Sequence, residues 1–199
     1  MDVGKALQKT IDLYLKNFGM FFLAGLMVAI VSIVTIGILA GPLIGGFIIL
    51  ILKIERGEQA PINEIFTHFD KFIPTLLIGI ICIIVPMIIG MIPIIGLIFG
   101  IIAGPVISII YAIAIAQTVD KGVEPIEALK KGYQGFMQEP VINWLYGLII
   151  GVMSSIGAIA CGFGIVFTLP LGTIGMAIAY QELSLKTEDA STSGTSTEL

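Results

Sequence analysis

Ionised side chains are scarce in this chain of 199 residues. Only 12% of its residues are Asp, Glu, Lys or Arg, about half of the roughly 25% that an ordinary soluble domain carries. Hydrophobic residues make up 57% of the chain, and its mean hydropathy is +1.06. This composition excludes a soluble enzyme and a disordered chain. The net charge of −4 argues against a nucleic-acid partner.

Cysteine and histidine are also rare. The chain has two cysteines, Cys82 and Cys161, and a single histidine, His68. They cannot form a disulfide framework or a clustered zinc site. The sequence also lacks a glycine-rich phosphate loop and a nucleophile motif. We therefore predict a protein that is not an enzyme and that needs no cofactor or metal.

The charged residues leave three long uncharged stretches, at 17–52, 72–119 and 140–181. One membrane crossing takes about 20 apolar residues, so each stretch has room for two crossings and a tight turn. The turns are expected near 36–37, 92–93 and 157–162. The sequence thus predicts an all-α polytopic bundle of six transmembrane helices, paired as 18–35 with 38–54, 72–91 with 94–119, and 142–160 with 163–181.

Paired crossings place all of the charged segments on one side of the membrane. Basic residues in short segments beside crossings mark the cytoplasmic side. Both termini are therefore predicted to be cytoplasmic. The basic residues that we expect to contact lipid headgroups or a protein partner are Lys5, Lys9, Lys16, Arg56, Lys71, Lys121, Lys130 and Lys131.

The sequence also contains an internal repeat. Ala40-Gly41-Pro42 matches Ala103-Gly104-Pro105 at an offset of 63, and Pro61 matches Pro125 at an offset of 64. A weaker match follows at Pro170 and Gly172. We infer three pseudo-repeats at about 1–60, 61–124 and 125–185, each an amphipathic interfacial helix followed by a transmembrane hairpin.

The amphipathic segments show apolar residues at helical spacing. In residues 1–17, Val3, Leu7, Ile11 and Tyr14 share one side of the predicted helix. Such a helix can lie on the inner leaflet or pack against the base of the bundle. The predicted domains are then this helix at 1–17, the membrane domain at 18–185 and a disordered, Ser/Thr-rich cytoplasmic tail at 186–199.

Small residues and prolines recur within the predicted crossings. Small residues at four-residue spacing allow close helix packing in lipid, and an internal proline kinks a helix. An alternative is that such helices flex around a central pathway. The residues assigned to packing and kinks are Gly37, Gly41, Pro42, Gly45, Gly96, Gly100, Gly104, Pro105, Pro170 and Gly172.

Apart from Lys53 at the end of 38–54, no charged residue falls within a predicted crossing, which argues against a proton- or sodium-driven transporter. We therefore expect a platform for lipids or for a protein partner, which could be a second copy of the chain. One alternative is a passive channel or facilitator, which would need a water-accessible line through Thr35, Ser108, Thr168 and Thr173. Another is an assembly factor of a larger membrane complex.

Four short motifs accompany this layout: GP at 41–42, ERGE at 55–58 followed by IF at 65–66, AGP at 103–105, and AYQEL at 179–183. Through them the chain resembles a family of prokaryotic six-helix membrane proteins. That family is similar to the membrane domain of glycerophosphoryl diester phosphodiesterases. The resemblance implies a membrane module of the prokaryotic inner membrane that works beside another activity. The resemblance does not imply phosphodiesterase activity for this chain, because the sequence has no catalytic domain.

Overall fold

The computed structural model describes residues 2–159 and 164–194. These residues form eight α-helices and two short 3-10 helices, with no strand among them. The prediction of an all-α fold is confirmed. The 3-10 helices are Ile62–Phe66 and Phe69–Lys71. The α-helices are α1 (Val3–Lys16), α2 (Phe18–Val34), α3 (Ala40–Glu55), α4 (Phe72–Gly90), α5 (Pro93–Lys121), α6 (Pro125–Gln138), α7 (Pro140–Ile159) and α8 (Gly164–Gly194).

Two helical stretches of the described chain, Ile62–Gly90 and Ile98–Lys121, are long and apolar enough to cross a membrane. A third candidate forms if α1 and α2 are counted together, although they meet at a bend of 92°. Helices α2 and α3 are themselves apolar but have only 17 and 16 residues. The structure therefore supports a membrane protein with two or three such spans.

Helices α1 and α6 are built alike. Each has 14 residues, and one residue, Asn17 or Glu139, separates it from the apolar helix that follows. The side chain of Asp2 caps α1, because its Oδ1 accepts a hydrogen bond of 3.1 Å from Lys5 N. Pro125 occupies the first turn of α6, where no amide hydrogen is needed.

The segment between α3 and α4 differs from this pattern. The expected amphipathic helix is replaced here by the two 3-10 helices. Thr67 Oγ1 donates to Glu64 O at 2.7 Å, a local side-chain bond that competes with a regular α-helical ladder. The backbone of Ile65 lies directly on Gly46, so this short segment is packed back along α3.

The turn between α2 and α3 explains why residue 37 is a glycine. Gly37 has a φ of +78° and follows Ile36, whose φ is +52°. Glycine adopts this left-handed conformation without steric cost. Because α3 begins only at Ala40, Gly37 is a turn residue, and Pro42 falls in the first turn of α3 rather than in its interior. Prolines within a first turn do not break helical hydrogen bonds.

Two further glycines permit close contacts between elements that are distant in sequence. A methyl group on Gly132 of α6 would lie 2.7 Å from the carbonyl oxygen of Ile110 in α5. A methyl group on Gly46 of α3 would likewise lie too close to the backbone of Ile65. The amphipathic elements therefore fold back onto the apolar helices that precede them, which favours packing against the bundle.

Helix α8 continues to Gly194. It therefore extends into residues 186–194, for which the sequence predicts disorder. Between Gly175 and Gly194 the sequence has no proline or glycine, the two residues that most weaken a helix. The turn predicted at 157–162 lies partly outside the described residues. Cys161 lies outside them.

Candidate functional site

One face of α1 packs against the last two helices. Ala6 and Thr10 are fully buried on this face. The hydroxyl oxygens of Thr10 and Tyr146 lie 3.4 Å apart, and Tyr14 Oη donates to the carbonyl oxygen of Phe167 at 2.9 Å. These contacts hold α1 against α7 and α8.

Tyr146 is the residue of this interface that sequence reasoning missed. It is 0% exposed, and its hydroxyl donates to the carbonyl oxygen of Gly175 at 2.8 Å. In the sequence, its hydroxyl stands among mostly apolar residues of the predicted crossing 142–160, which indicates that it needs a polar partner. A buried tyrosine hydroxyl normally needs such a partner. Tyr146 thus links α1, α7 and α8.

The solvent-accessible part of α1 has two different sides. Ile11 and Leu15 form an exposed apolar side, with exposed fractions of 39% and 64%. Lys5, Lys9 and Lys16 form a separate exposed row. At 3.6 residues per turn, the centres of the two sides are about 120° apart around the helix. Helix α1 therefore has a buried face, an apolar face and a cationic face.

The three lysines line one groove of about 410 Å³, together with Gln8, Asp12, Leu13 and Glu55. Lys9 Nζ lies 2.6 Å from Glu55 Oε1, at the end of α3. This ion pair places the lysine row at the charged end of α3. Three lysines and two carboxylates line the groove, and the Asp2 carboxylate lies beside Lys5 at its edge.

The beginning of the groove is fixed by Asp2. Its carboxylate lies 3.6 Å from Lys5 Nζ and accepts the hydrogen bond from Lys5 N. That backbone hydrogen bond lowers the pKa of the Asp2 carboxyl below its usual value. Asp2 is therefore charged at neutral pH, where it caps α1.

The other predicted basic residues do not line this groove. Arg56 is exposed after the end of α3, and Lys71 lies 3.5 Å from Asp70. Lys131 pairs with Glu127 at 3.1 Å on α6. Lys130 lines a second groove, of about 610 Å³, between α4 and α6. Lys121, at the end of α5, is exposed.

Helix α6 repeats the three-sided pattern of α1. Its buried face includes Ala128 and Gly132. Its exposed apolar side is Ile126, Tyr133 and Met137. Glu127, Gln134, Lys131 and Gln138 form the polar side. The three sides follow one another in the same rotational order as in α1, by the helical periodicity of 3.6 residues.

Several of the predicted small residues lie at close helix contacts. A methyl group on Gly41 would lie 3.1 Å from the backbone of Thr75, and one on Gly45 would lie 2.5 Å from Val119 Cγ2. Gly172 lies directly against the hydroxyl of Ser154. Pro170 is buried within α8. The surroundings of Gly96 lie outside what the structure describes.

Gly100 and Gly104 have a different environment. No atom in the described part of the chain lies within 4 Å of the position that a side chain would take at either residue. Both line a cavity of about 370 Å³ between α3, α4 and α5. Pro105, the next residue of α5, accepts a hydrogen bond from Ser108 Oγ at 2.9 Å.

Three hydroxyls of the hypothetical pathway bind carbonyl oxygens of their own helices. Thr35 donates to Val31 O at 2.8 Å, Ser108 to Pro105 O at 2.9 Å, and Thr173 to Leu169 O at 2.9 Å. Among the described residues, His, Cys, Asp and Glu side chains form no group of three or more that could hold a metal ion.

Comparisons with known proteins do not identify a relative. No protein-family model matches the chain, and neither the curated proteins nor the solved structures gave a significant match. The residues that bear on function are therefore those of the chain itself, above all the lysine-lined groove of α1.

Proposed function

We propose that this chain is a non-catalytic integral membrane protein that serves as a platform for anionic lipid headgroups at the inner membrane surface. The observation that carries the proposal is the three-sided α1. Its buried face packs on α7 and α8, its apolar side can face hydrocarbon, and its lysine row is exposed in one groove. Amphipathic helices at membrane interfaces combine an apolar side with a lysine-rich side in this way.

The proposal includes the finer topology. Helices α2, α3, α4, α5, α7 and α8 would each cross a prokaryotic inner membrane, with both termini in the cytoplasm. The equal lengths of α1 and α6 and the shared order of their three sides support a repeat relation between the first and third units, whereas the second unit has 3-10 helices at the matching place. The contact of Lys9 with Glu55 supports placing α1 at the same membrane side as the end of α3.

Lipid binding can be tested with the full chain in nanodiscs of phosphatidylcholine and phosphatidylglycerol. The variant Lys5→Gln/Lys16→Gln leaves Lys9 paired with Glu55 and removes two exposed charges. Each lysine near an anionic surface contributes about 1 kcal/mol, so we expect roughly a fivefold loss per lysine in phosphatidylglycerol affinity. Native mass spectrometry of the retained lipids measures it.

The matched control is Asp12→Asn, which makes the same groove more cationic. It should raise the retention of phosphatidylglycerol, and added salt should weaken both effects. Equal lipid retention by the wild type and both variants would remove the lipid proposal. A protein that then co-purified in fixed stoichiometry would identify the platform as one for a protein partner.

The passive facilitator has less support. Its pathway requires hydroxyls that are free to contact a solute, whereas Thr35, Ser108 and Thr173 each bind the backbone of their own helix. Such bonds satisfy the carbonyl groups of an apolar helix.

A further inference from the structure

The cavity between α3, α4 and α5 is separate from the lysine groove. Its lining includes Ala40 of α3, Cys82 of α4, and Gly104 and Tyr111 of α5. A volume of about 370 Å³ lies within the range of small-molecule sites, roughly 300–1,000 Å³. The cavity is open at the surface of the bundle, where Gly100 is exposed. It is therefore large enough to hold a molecule and accessible from outside the bundle.

The wall formed by α5 is open because of its glycines. Gly100 and Gly104 occupy successive turns, and no atom of the described residues lies within 4 Å of the position that a Cβ would take at either of them. In helix-packing motifs, small residues allow a neighbouring helix to approach. Here no helix of the described chain fills the space, so the glycines leave a flat surface beside the ring of Phe99.

One polar group on the cavity wall has no hydrogen-bond partner among the residues that the structure describes. Ser108 Oγ is already bound to Pro105 O, but the hydroxyl of Tyr111 makes no hydrogen bond with any described residue. Tyr111 is partly buried and lines the cavity. Tyrosine hydroxyls in apolar surroundings usually have an acceptor, since an unpaired one costs about 1–3 kcal/mol. A ligand with one hydrogen-bond acceptor would meet this need.

The depth of the cavity limits the charge of that ligand. Cys82 is near the middle of the 19-residue α4, and Ser108 is near the middle of the 29-residue α5. With the crossings proposed above, this level is far from both membrane surfaces. A charged phosphate or carboxylate would be strongly unfavourable there.

We infer that the cavity binds a neutral isoprenoid quinone, with the ring against Gly100 and Gly104 and a ring carbonyl accepting the Tyr111 hydroxyl. A planar ring fits the flat glycine wall, an isoprenoid tail fits the apolar lining, and a carbonyl supplies the acceptor. The inference rests on the proposed crossings for its depth but is independent of lipid binding at α1.

The test uses the full chain in phosphatidylcholine nanodiscs with decylubiquinone as the probe. Bound quinone per protein is measured above the amount that partitions into empty nanodiscs. The wild type should retain about one quinone, and Gly104→Leu should reduce retention to the background level. The matched control Gly151→Leu places the same side chain in open space on α7, away from the cavity, and should bind as the wild type does.

The variant Tyr111→Phe removes the hydroxyl but keeps the ring, so it tests the hydrogen bond to the quinone separately from the shape of the cavity. It should weaken quinone binding roughly two- to tenfold, the effect of one hydrogen bond. It should leave the binding of squalene, an isoprenoid without a carbonyl, unchanged, and it should not lower the melting temperature. Equal quinone retention by the wild type and Gly104→Leu would overturn the inference, as would squalene retention equal to that of quinone. These results would leave the lipid experiment at α1 unaffected.

Discussion

Lys9 Nζ and Glu55 Oε1, 2.6 Å apart, join the first helix of the chain to the end of the third. The Glu55 side chain is only 13% exposed, whereas that of Lys9 is 44% exposed. The pair is therefore asymmetric: the carboxylate is the group that depends on its partner, because little water reaches it.

The first prediction concerns this ion pair. Lys9→Gln leaves the Glu55 carboxylate without its cation and should lower the free energy of unfolding by about 1–3 kcal/mol. Adding Glu55→Gln should restore part of that loss, because the uncompensated charge is then gone. Thermal unfolding in mild detergent measures both. The control is Lys131→Gln, which breaks a more exposed pair and should cost at most about 0.5 kcal/mol. Equal losses for the two lysines would contradict this assignment.

The second prediction concerns Gly132. An alanine there would place its methyl group 2.7 Å from Ile110 O, and we expect a loss of about 1–3 kcal/mol in stability. Alanine normally stabilises a helix interior relative to glycine by about 1 kcal/mol. Gly151→Ala, where nothing lies within 4 Å, should therefore be neutral or stabilising. A stabilising effect of Gly132→Ala, measured by the melting temperature, would show that α6 does not pack on α5 as described.

The third prediction concerns Asn143, which is 0% exposed. Its Nδ2 donates to the carbonyl oxygens of Gly135 at 3.3 Å and Phe136 at 2.9 Å, near the end of α6. Asn143→Leu removes both hydrogen bonds and should cost about 1–3 kcal/mol. Hydrogen exchange should speed up in the last turn of α6 and remain unchanged in α1. Uniform acceleration throughout the protein would argue against a local capping role.

The fourth prediction concerns pH. The hydrogen bond from Lys5 N lowers the pKa of Asp2 in the folded protein relative to the unfolded chain. The stabilisation by Asp2 is thus fully present above the unfolded-state pKa and is lost as the pH falls through the folded-state pKa. Exchange of the Lys5 amide, corrected for its intrinsic rate, should therefore speed up in acid. Asp2→Asn still caps the helix but does not titrate, so it should show no such change.

The helix positions were largely predictable from the sequence. The predicted 18–35 and 72–91 compare with Phe18–Val34 and Phe72–Gly90 in the structure. Long apolar runs bounded by charges fix where a helix can lie, and glycine or proline marks the turns. The clearest difference is at the end of α8, where no helix-breaking residue occurs before Gly194.

The contacts between distant residues were not predictable. The approach of Gly46 to Ile65 and the hydrogen bond from Tyr146 to Gly175 depend on how whole helices are placed beside each other. A single sequence records which residues are small or polar but not which ones meet. Gly100 and Gly104 illustrate this point, because the same small-residue spacing that predicts packing lines a cavity here.

The docking of α1 on α7 and α8 has a consequence for biosynthesis. Thr10 leaves the ribosome 136 residues before Tyr146, the residue that it meets. At 5–20 residues per second, the first helix is made roughly 7–27 s before its binding surface exists. During that interval the face of α1 with Ala6 and Thr10 is not yet covered by α7 and α8, so the lipid surface or a chaperone must shelter it until the last two helices are made.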